Sequence, residues 1–358
     1  MFDEAPWKEA AVNEDRPHER SWTWFDLRRL AVGLAAVLTV SPAPGGLAAQ
    51  STSQGWSVSV EPLRVDPRGH DQHVLTVGRQ DVADPVRSSA AVALDTRSGT
   101  AYRGALAYRR GHWSIGATFF WFTTSQATGD PTSAAPDASE VVVFEVADRQ
   151  FTSSGPAEIL FHRILEDTDV ATWTLDVYGS RTVGETPTAR VEVRGGLRLA
   201  DFDNDYRALA GVEGVEGVRF DASSNYGRMA GPLVAATADW RRGDLSVSAG
   251  LGQAVVLGQA ELTRILRDFD GPSTGQLTFT TADRFEATQD IAVPISDARL
   301  SVVYRLLDNL ALLASVQTSV WWDVAVPPGV LAAVGGDGPL LENTIVFTGV
   351  GGGIQVHF

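Results

Sequence analysis

Asn343-Thr-Ile-Val-Phe-Thr-Gly-Val-Gly-Gly-Gly-Ile-Gln-Val-His-Phe358 closes the chain and decides its reading. One set of alternate positions carries Val346, Val350, Ile354, Val356 and Phe358. The other carries Asn343, Gly349, Gly351, Gly353, Gln355 and His357, interrupted by Ile345 and Phe347. A period of two places successive side chains on opposite faces of a strand. A strand of this length, with one apolar and one small or polar face, fits a barrel wall between lipid and water. A soluble sandwich has little reason to end its chain on an exposed Phe.

The 358 residues suffice for one large domain or two smaller ones, and the hydrophobic share of 44% excludes neither a soluble nor a barrel protein. No apolar run reaches the roughly 18 residues of a spanning helix. The longest, Leu30 to Val40, reads as the apolar region of a secretory signal. Arg28 and Arg29 precede it, and Ser41-Pro-Ala-Pro-Gly-Gly-Leu-Ala-Ala-Gln50 follows with small residues suited to cleavage after Ala48 or Ala49. Residues 1–49 are therefore expected to be an N-terminal extension and cleaved signal peptide, with 50–358 as the barrel. The thirty residues ahead of the apolar run are long and acidic for a signal peptide, as an early assigned start codon would make them. Cleavage leaves 24 basic and 37 acidic residues, and this acidic balance argues against a nucleic-acid partner. The absence of Cys removes disulfides and thiolate metal sites.

Ten alternating segments follow: Trp56–Val65, Thr100–Arg109, His112–Ser125, Ala171–Arg181, Ala189–Asp203, Gly227–Arg242, Asp244–Leu262, Ser296–Leu306, Asn309–Val326 and Asn343–Phe358. Short connections alternate with long ones. Arg110-Gly111, Thr182 to Thr188, Gly243 and Leu307-Asp308 are the short ones, and the other five run from about 16 to 45 residues. Tight periplasmic turns and long outer loops give that parity. A Greek-key sandwich does not. The expected fold is all-β: a closed antiparallel transmembrane β-barrel of about ten strands, within a range of eight to twelve. The stretch Gln126–Val170 holds Glu140-Val-Val-Val-Phe-Glu-Val146 and Ile159-Leu-Phe161, which would supply an extra hairpin or a partial plug.

Aromatic residues fall at the ends of these segments. Tyr108, Trp113, Trp240, Tyr304 and Phe358 lie beside the short turns or the C-terminus, and Trp121, Trp173 and Trp322 lie toward the opposite ends. Amphipathic rings favour the bilayer interface, so these read as two girdles. The positions between them on the same face carry no charge. A soluble core face would also lack charges, but it would not produce girdles. The alternate positions carry Arg103, Arg109, Asp176, Arg190, Glu192, Arg194, Arg198, Asp239, Arg299 and Arg305, which are expected to line the lumen. Two readings apply to them: a basic strip that favours passage of anions, or salt bridges that fill a narrow barrel. At ten strands the second weighs more.

Thr100-Ala-Tyr-Arg-Gly-Ala-Leu-Ala-Tyr-Arg109, then Gly111-His-Trp-Ser-Ile-Gly-Ala-Thr-Phe-Phe-Trp-Phe122, resembles the second and third strands of the Legionella-type major outer membrane protein family. Gly195-Gly-Leu-Arg-Leu-Ala-Asp-Phe-Asp203 is similar to its glycine-led strand, and Gly231-Pro-Leu to Gly252 to its next hairpin. Val293-Pro-Ile-Ser-Asp-Ala-Arg-Leu-Ser-Val-Val-Tyr304 and Phe347-Thr-Gly-Val with Phe358 complete the resemblance, which covers most of 100–358. Leu199 and Met229-Ala230 depart from the family pattern. The resemblance implies a porin-like outer-membrane channel for passive diffusion of small hydrophilic solutes, with no cofactor and no catalytic role. Its expected partners are outer-membrane lipid, solutes in the lumen and the barrel-insertion machinery. Val350, Ile354, Val356 and Phe358 would form the C-terminal assembly signal.

A barrel enzyme needs a base within reach of a nucleophile or an activated water. His70, His73, His112, His162 and His357 form no such constellation by spacing, and a metal at His70 and His73 lacks a placed acidic partner. Asp201, Asp203 and Asp205 alternate like the start of a calcium loop but lack its invariant Gly and closing Glu. A structural or adhesion barrel with a filled lumen, whose outer loops bind a partner, is the remaining alternative.

Overall fold

The computed structural model describes residues 54–68, 75–81, 88–91, 98–131, 140–146, 149–153, 162–212, 216–270, 278–325 and 342–358. The expected signal segment 1–49, the pair His70 and His73, and Ile159-Leu-Phe161 lie outside them.

Among the described residues, ten of fourteen strands close into one barrel. They are β1 (Gly55–Arg68), β4 (Gly99–Arg110), β5 (Trp113–Pro131), β8 (His162–Glu185), β9 (Ala189–Val212), β10 (Glu216–Arg242), β11 (Leu245–Asp270), β12 (Thr278–Leu307), β13 (Leu310–Ala325) and β14 (Glu342–His357). The order around the wall is β1-β14-β13-β12-β11-β10-β9-β8-β5-β4, and every neighbour is antiparallel. The seam joins the first barrel strand to the last, with Phe358 N–H donating to Trp56 C=O at 2.9 Å and Trp56 N–H to Phe358 C=O at 3.2 Å. Closure leaves the barrel no free edge. The count of ten agrees with the sequence. The segment Glu140–Val146 is a strand, but it does not enlarge the barrel. It is β6, in a separate four-stranded sheet with β2 (Leu75–Asp81), β3 (Ser88–Ala91) and β7 (Arg149–Ser153), ordered β3-β2-β6-β7.

The tight turns fall where their chemistry places them. Gly111 and Gly243 have φ of 61° and 62°, a backbone conformation that other residues adopt at a cost. At the opposite end the strands run longer than their apolar stripes. β10, β11 and β12 have 27, 26 and 30 residues, against roughly 9–11 needed to cross a bilayer. The connection expected to be long between Asp203 and Gly227 is therefore only 213–215, and that between Leu262 and Ser296 is 271–277. On the extensions the outer face turns polar, with Asp203, Asp205, Asp221 and Glu261, while the inner face stays buried around Tyr206, Ser224 and Leu262, so the outward apolar stripe ends while backbone pairing continues. Periodicity loses the strand at that point.

Side-chain polarity is inverted relative to a soluble sandwich. Ile115, Val177, Leu197, Val234, Leu251, Leu300, Val350 and Ile354 stand exposed on the outer face. The expected girdle residues Tyr108, Trp113, Trp121, Trp173, Trp240, Tyr304, Trp322 and Phe358 share that face. Trp56, 5.0 Å from Tyr108 between ring centroids, and Tyr102, stacked on Trp121 at 5.9 Å, extend the belts beyond what the sequence singled out. At the upper belt Trp322 Nε1 donates to Ser296 Oγ at 3.0 Å, and Ser296 donates to Gln253 Oε1 at 2.7 Å. Polar groups return to the outer face at this height. Leu251, 70% exposed within the apolar band, tests the assignment. Leu251→Arg should cost about 2–4 kcal/mol in urea unfolding from vesicles, well beyond a Leu251→Ala control. Equal costs would mean that lipid does not cover this face.

Candidate functional site: the interior of the barrel

The ten polar residues assigned to the lumen all take inward-facing register positions, and the structure brings most of them into contact. Nearest the tight turns, Glu192 on β9 is almost fully buried and accepts hydrogen bonds from three guanidiniums. These are Arg109 on β4 at 2.8 Å, Arg190 at 3.1 Å and Arg194 at 3.3 Å. Ser114 and Ser180 bond to each other beside this group. Tyr178 holds Arg194 in place, with the guanidinium 5.0 Å from its ring centroid. That ring lies between Gly116 and Gly196, its direct partners on the two neighbouring strands. A Cβ at Gly196 would overlap the Val177 carbonyl and the Tyr178 backbone, so the glycine is what lets the strands approach there. Asp239 pairs in register with Arg190, and Arg305 lies 3.5 Å from Asp244 at the rim.

One layer higher, three connections cross the lumen. Arg299 on β12 donates to Glu61 on β1 at 2.6 Å, and Ser315 donates to the same carboxylate. Arg103 on β4 donates to Gln317 on β13 at 2.6 Å. Arg198 grips Asp176 with two bonds of 2.6 and 2.7 Å and reaches Asp297 on β12 at 2.6 Å. Arg299 and Arg198, paired with carboxylates in this way, meet the condition under which buried charge is tolerated, whereas Arg103 bonds a neutral amide. Glu61, Asp297, Ser315 and Gln317 were missed in the sequence. Ser315 and Gln317 are uncharged, Asp297 sits two residues from Arg299, and only inward parity marks the four of them.

Above the ionic layer the interior turns apolar. Five aromatic rings form a chain from one side of the wall to the other: Phe122 (β5), Phe347 (β14), Trp321 (β13), Phe202 (β9) and Tyr226 (β10). Successive centroids are 5.5, 6.2, 5.9 and 5.6 Å apart, and none of the five side chains is more than 2% exposed. Ile345, Ile295, Val293, Val256 and Met229 pack into the same cluster. Ile345 and Phe347, which interrupt the polar face of the C-terminal segment, are therefore lumen-filling residues. That interruption was the available signal for the apolar layer. Higher still, Thr168, Asn204 and Ser224 are buried polar residues, and Arg264 lies 5.9 Å from the Phe285 ring centroid.

Asp201, Asp203 and Asp205 occupy alternate outer-face positions of β9, so their spacing is the strand pleat and not a cation loop. On the strand extensions Asp221 lies 3.2 Å from Arg207, 3.0 Å from Arg219 and 3.8 Å from Arg267. His112 is in a turn, 3.7 Å from Glu185, and His357 faces the mouth at the tight-turn end. His162 opens β8.

No family model matches the chain and no curated protein matches it, so the resemblance read from the sequence stays an expectation. Among solved structures, the outer membrane protease OmpT from Escherichia coli aligns at 11% identity and a TM-score of 0.45, over 87% of this chain and 99% of that one. The transport unit of the autotransporter AIDA-I from Escherichia coli aligns at 8% and 0.28, over 91% and 97%. A Pseudomonas aeruginosa FadL homologue aligns at 7% and 0.23, over 85% and 90%. Likeness at this distance carries no argument about activity, and the fold rests on the strand pairing of this chain itself.

Proposed function

We propose that this protein is an outer-membrane barrel whose lumen is closed, and that it acts by binding at the end opposite its tight turns. The observation that carries the reading is the unbroken chain of five buried rings across the lumen, above an ionic layer that crosses it three more times. Hydrated solutes are repelled by a dry apolar constriction even where the backbone leaves width for them. Membrane location is supported by the two aromatic belts, the charge-free outer band and the outward Val350, Ile354, Val356 and Phe358 of the closing strand, the segment we assign to the insertion machinery. The tight turns then face the periplasm, and the extended β8–β12 carry the binding surface outward. We assign it no cofactor and no catalysis.

Passive diffusion is the competing reading, and the solvent-reached arginines of the lower lumen favour it. Conductance in planar bilayers separates the two. The purified full chain should add no stable current steps, whereas reproducible steps would overturn the closed-barrel reading in favour of a pore.

A further inference from the structure

The closed lumen has a consequence for its lower part. On the closed-lumen reading, the interior below the crossing Glu61–Arg299, Arg103–Gln317 and Arg198–Asp297 contacts is a chamber that opens toward the tight turns, where Arg109 and Arg194 are about a third exposed. The chain as a whole carries −15, yet this mouth is basic. Arg109, Arg190, Arg194, Arg241 and Arg305 take inward positions on four strands, against Glu192, Asp239 and the rim residue Asp244. The charges of Arg241, Arg109 and Arg305 all bear on His357, so these groups converge on one space. Glu192 alone engages three of these guanidiniums, so one carboxylate faces an excess of positive charge. Between and beside the arginine-bearing strands the inward side chains are small: Ser246 and Ser248 on β11, Ala107 on β4, and Ser57 and Ser59 on β1, all partly reached by solvent. They leave room beside the arginines and add hydroxyl donors.

We propose that this chamber is a binding site for a small multivalent oxyanion of the phosphate type, entering from the periplasm. The proposal rests on the closed-lumen reading, because a blind chamber holds its occupant where a pore would pass it on. Guanidiniums and hydroxyls converging from several strands match a tetrahedral oxyanion in geometry as well as charge. Low-dielectric walls focus the field of the excess positive charge onto the mouth.

Calorimetric titration of the detergent-purified full chain with pyrophosphate tests it. Saturable binding of one pyrophosphate per chain is expected, weakening as salt is raised. In the double variant Arg241→Gln with Arg305→Gln the affinity should fall about tenfold or more, since two charges leave the mouth. Both side chains are at the rim, so the heat-dependent gel mobility of the folded barrel should persist. Should either prove to disturb folding, Ala107→Asp, which sets a carboxylate in the chamber and spares every arginine, should also abolish binding. Absence of saturable heat, or undiminished affinity in variants that keep the folded mobility, would overturn the proposal. Current steps in the bilayer assay defeat the closed-lumen reading separately. Silence there combined with no pyrophosphate binding removes the anion site alone.

Discussion

Arg198→Met should lower the unfolding free energy of the barrel by about 3 kcal/mol, near the lower end of what breaking a buried ion pair costs. The guanidinium is 6% exposed and connects Asp176, its neighbour on β8, to Asp297 on β12. Without it two carboxylates face each other inside the wall, and neither has another ion-pair partner among the described residues. Asp297 is 30% exposed and regains some hydration, which keeps the loss from the upper end. Met conserves most of the volume, so the loss reports charge and hydrogen bonding more than packing. Adding Asp176→Asn and Asp297→Asn to the variant should recover much of the stability, because neutral amides do not repel. The measurement is the urea midpoint of barrels refolded in vesicles. A single variant as stable as the parent would show that the crossing contact contributes nothing.

Phe202→Ala with Trp321→Ala should convert a silent barrel into a leaking one. The pair removes two consecutive members of the aromatic chain, each fully buried and each in contact with the other. Truncation of a buried Phe or Trp costs roughly 3–5 kcal/mol and leaves a cavity where the wall cannot collapse. A closed wall of paired strands has little freedom to collapse. Water that enters the gap reaches the ionic layer beneath, which is already polar and wets readily. On the closed-barrel reading the apolar layer is the barrier to hydrated ions, and conductance should appear as flickering steps. Continued silence in a folded double variant would mean that the ionic layer seals the lumen unaided.

The difference between these two layers explains what was legible in the chain. The inward arginines announced themselves because a charge at an alternate position of an otherwise apolar strand cannot face lipid. Phe122, Phe202, Trp321 and Phe347 did not, since an aromatic side chain is at home on either face of such a wall. Trp321 and Trp322 are adjacent in sequence and serve opposite sides, one in the seal and one in the upper belt. The bulge beside them, with Asp323 at φ 57°, shifts the pairing of β13 with β14. No periodic reading anticipates such a shift. The extension of β8–β12 was missed for a related reason: backbone hydrogen bonds do not require an apolar stripe, and there the outer face is polar while the buried inner face mixes polar and apolar residues.

The outward apolar side of each barrel strand and the places where the chain turns back are both written in local order along the chain. Both follow from neighbours one and two residues away, through the pleat and the φ freedom of Gly111 and Gly243. What meets across the interior is set by the assembled barrel. Glu61 and Arg299 are separated by 238 positions, and Phe122 meets Phe347 from another strand, because closure and stagger of the wall set their heights. Those heights depend on the summed register of all ten strands, a quantity that no local pattern contains.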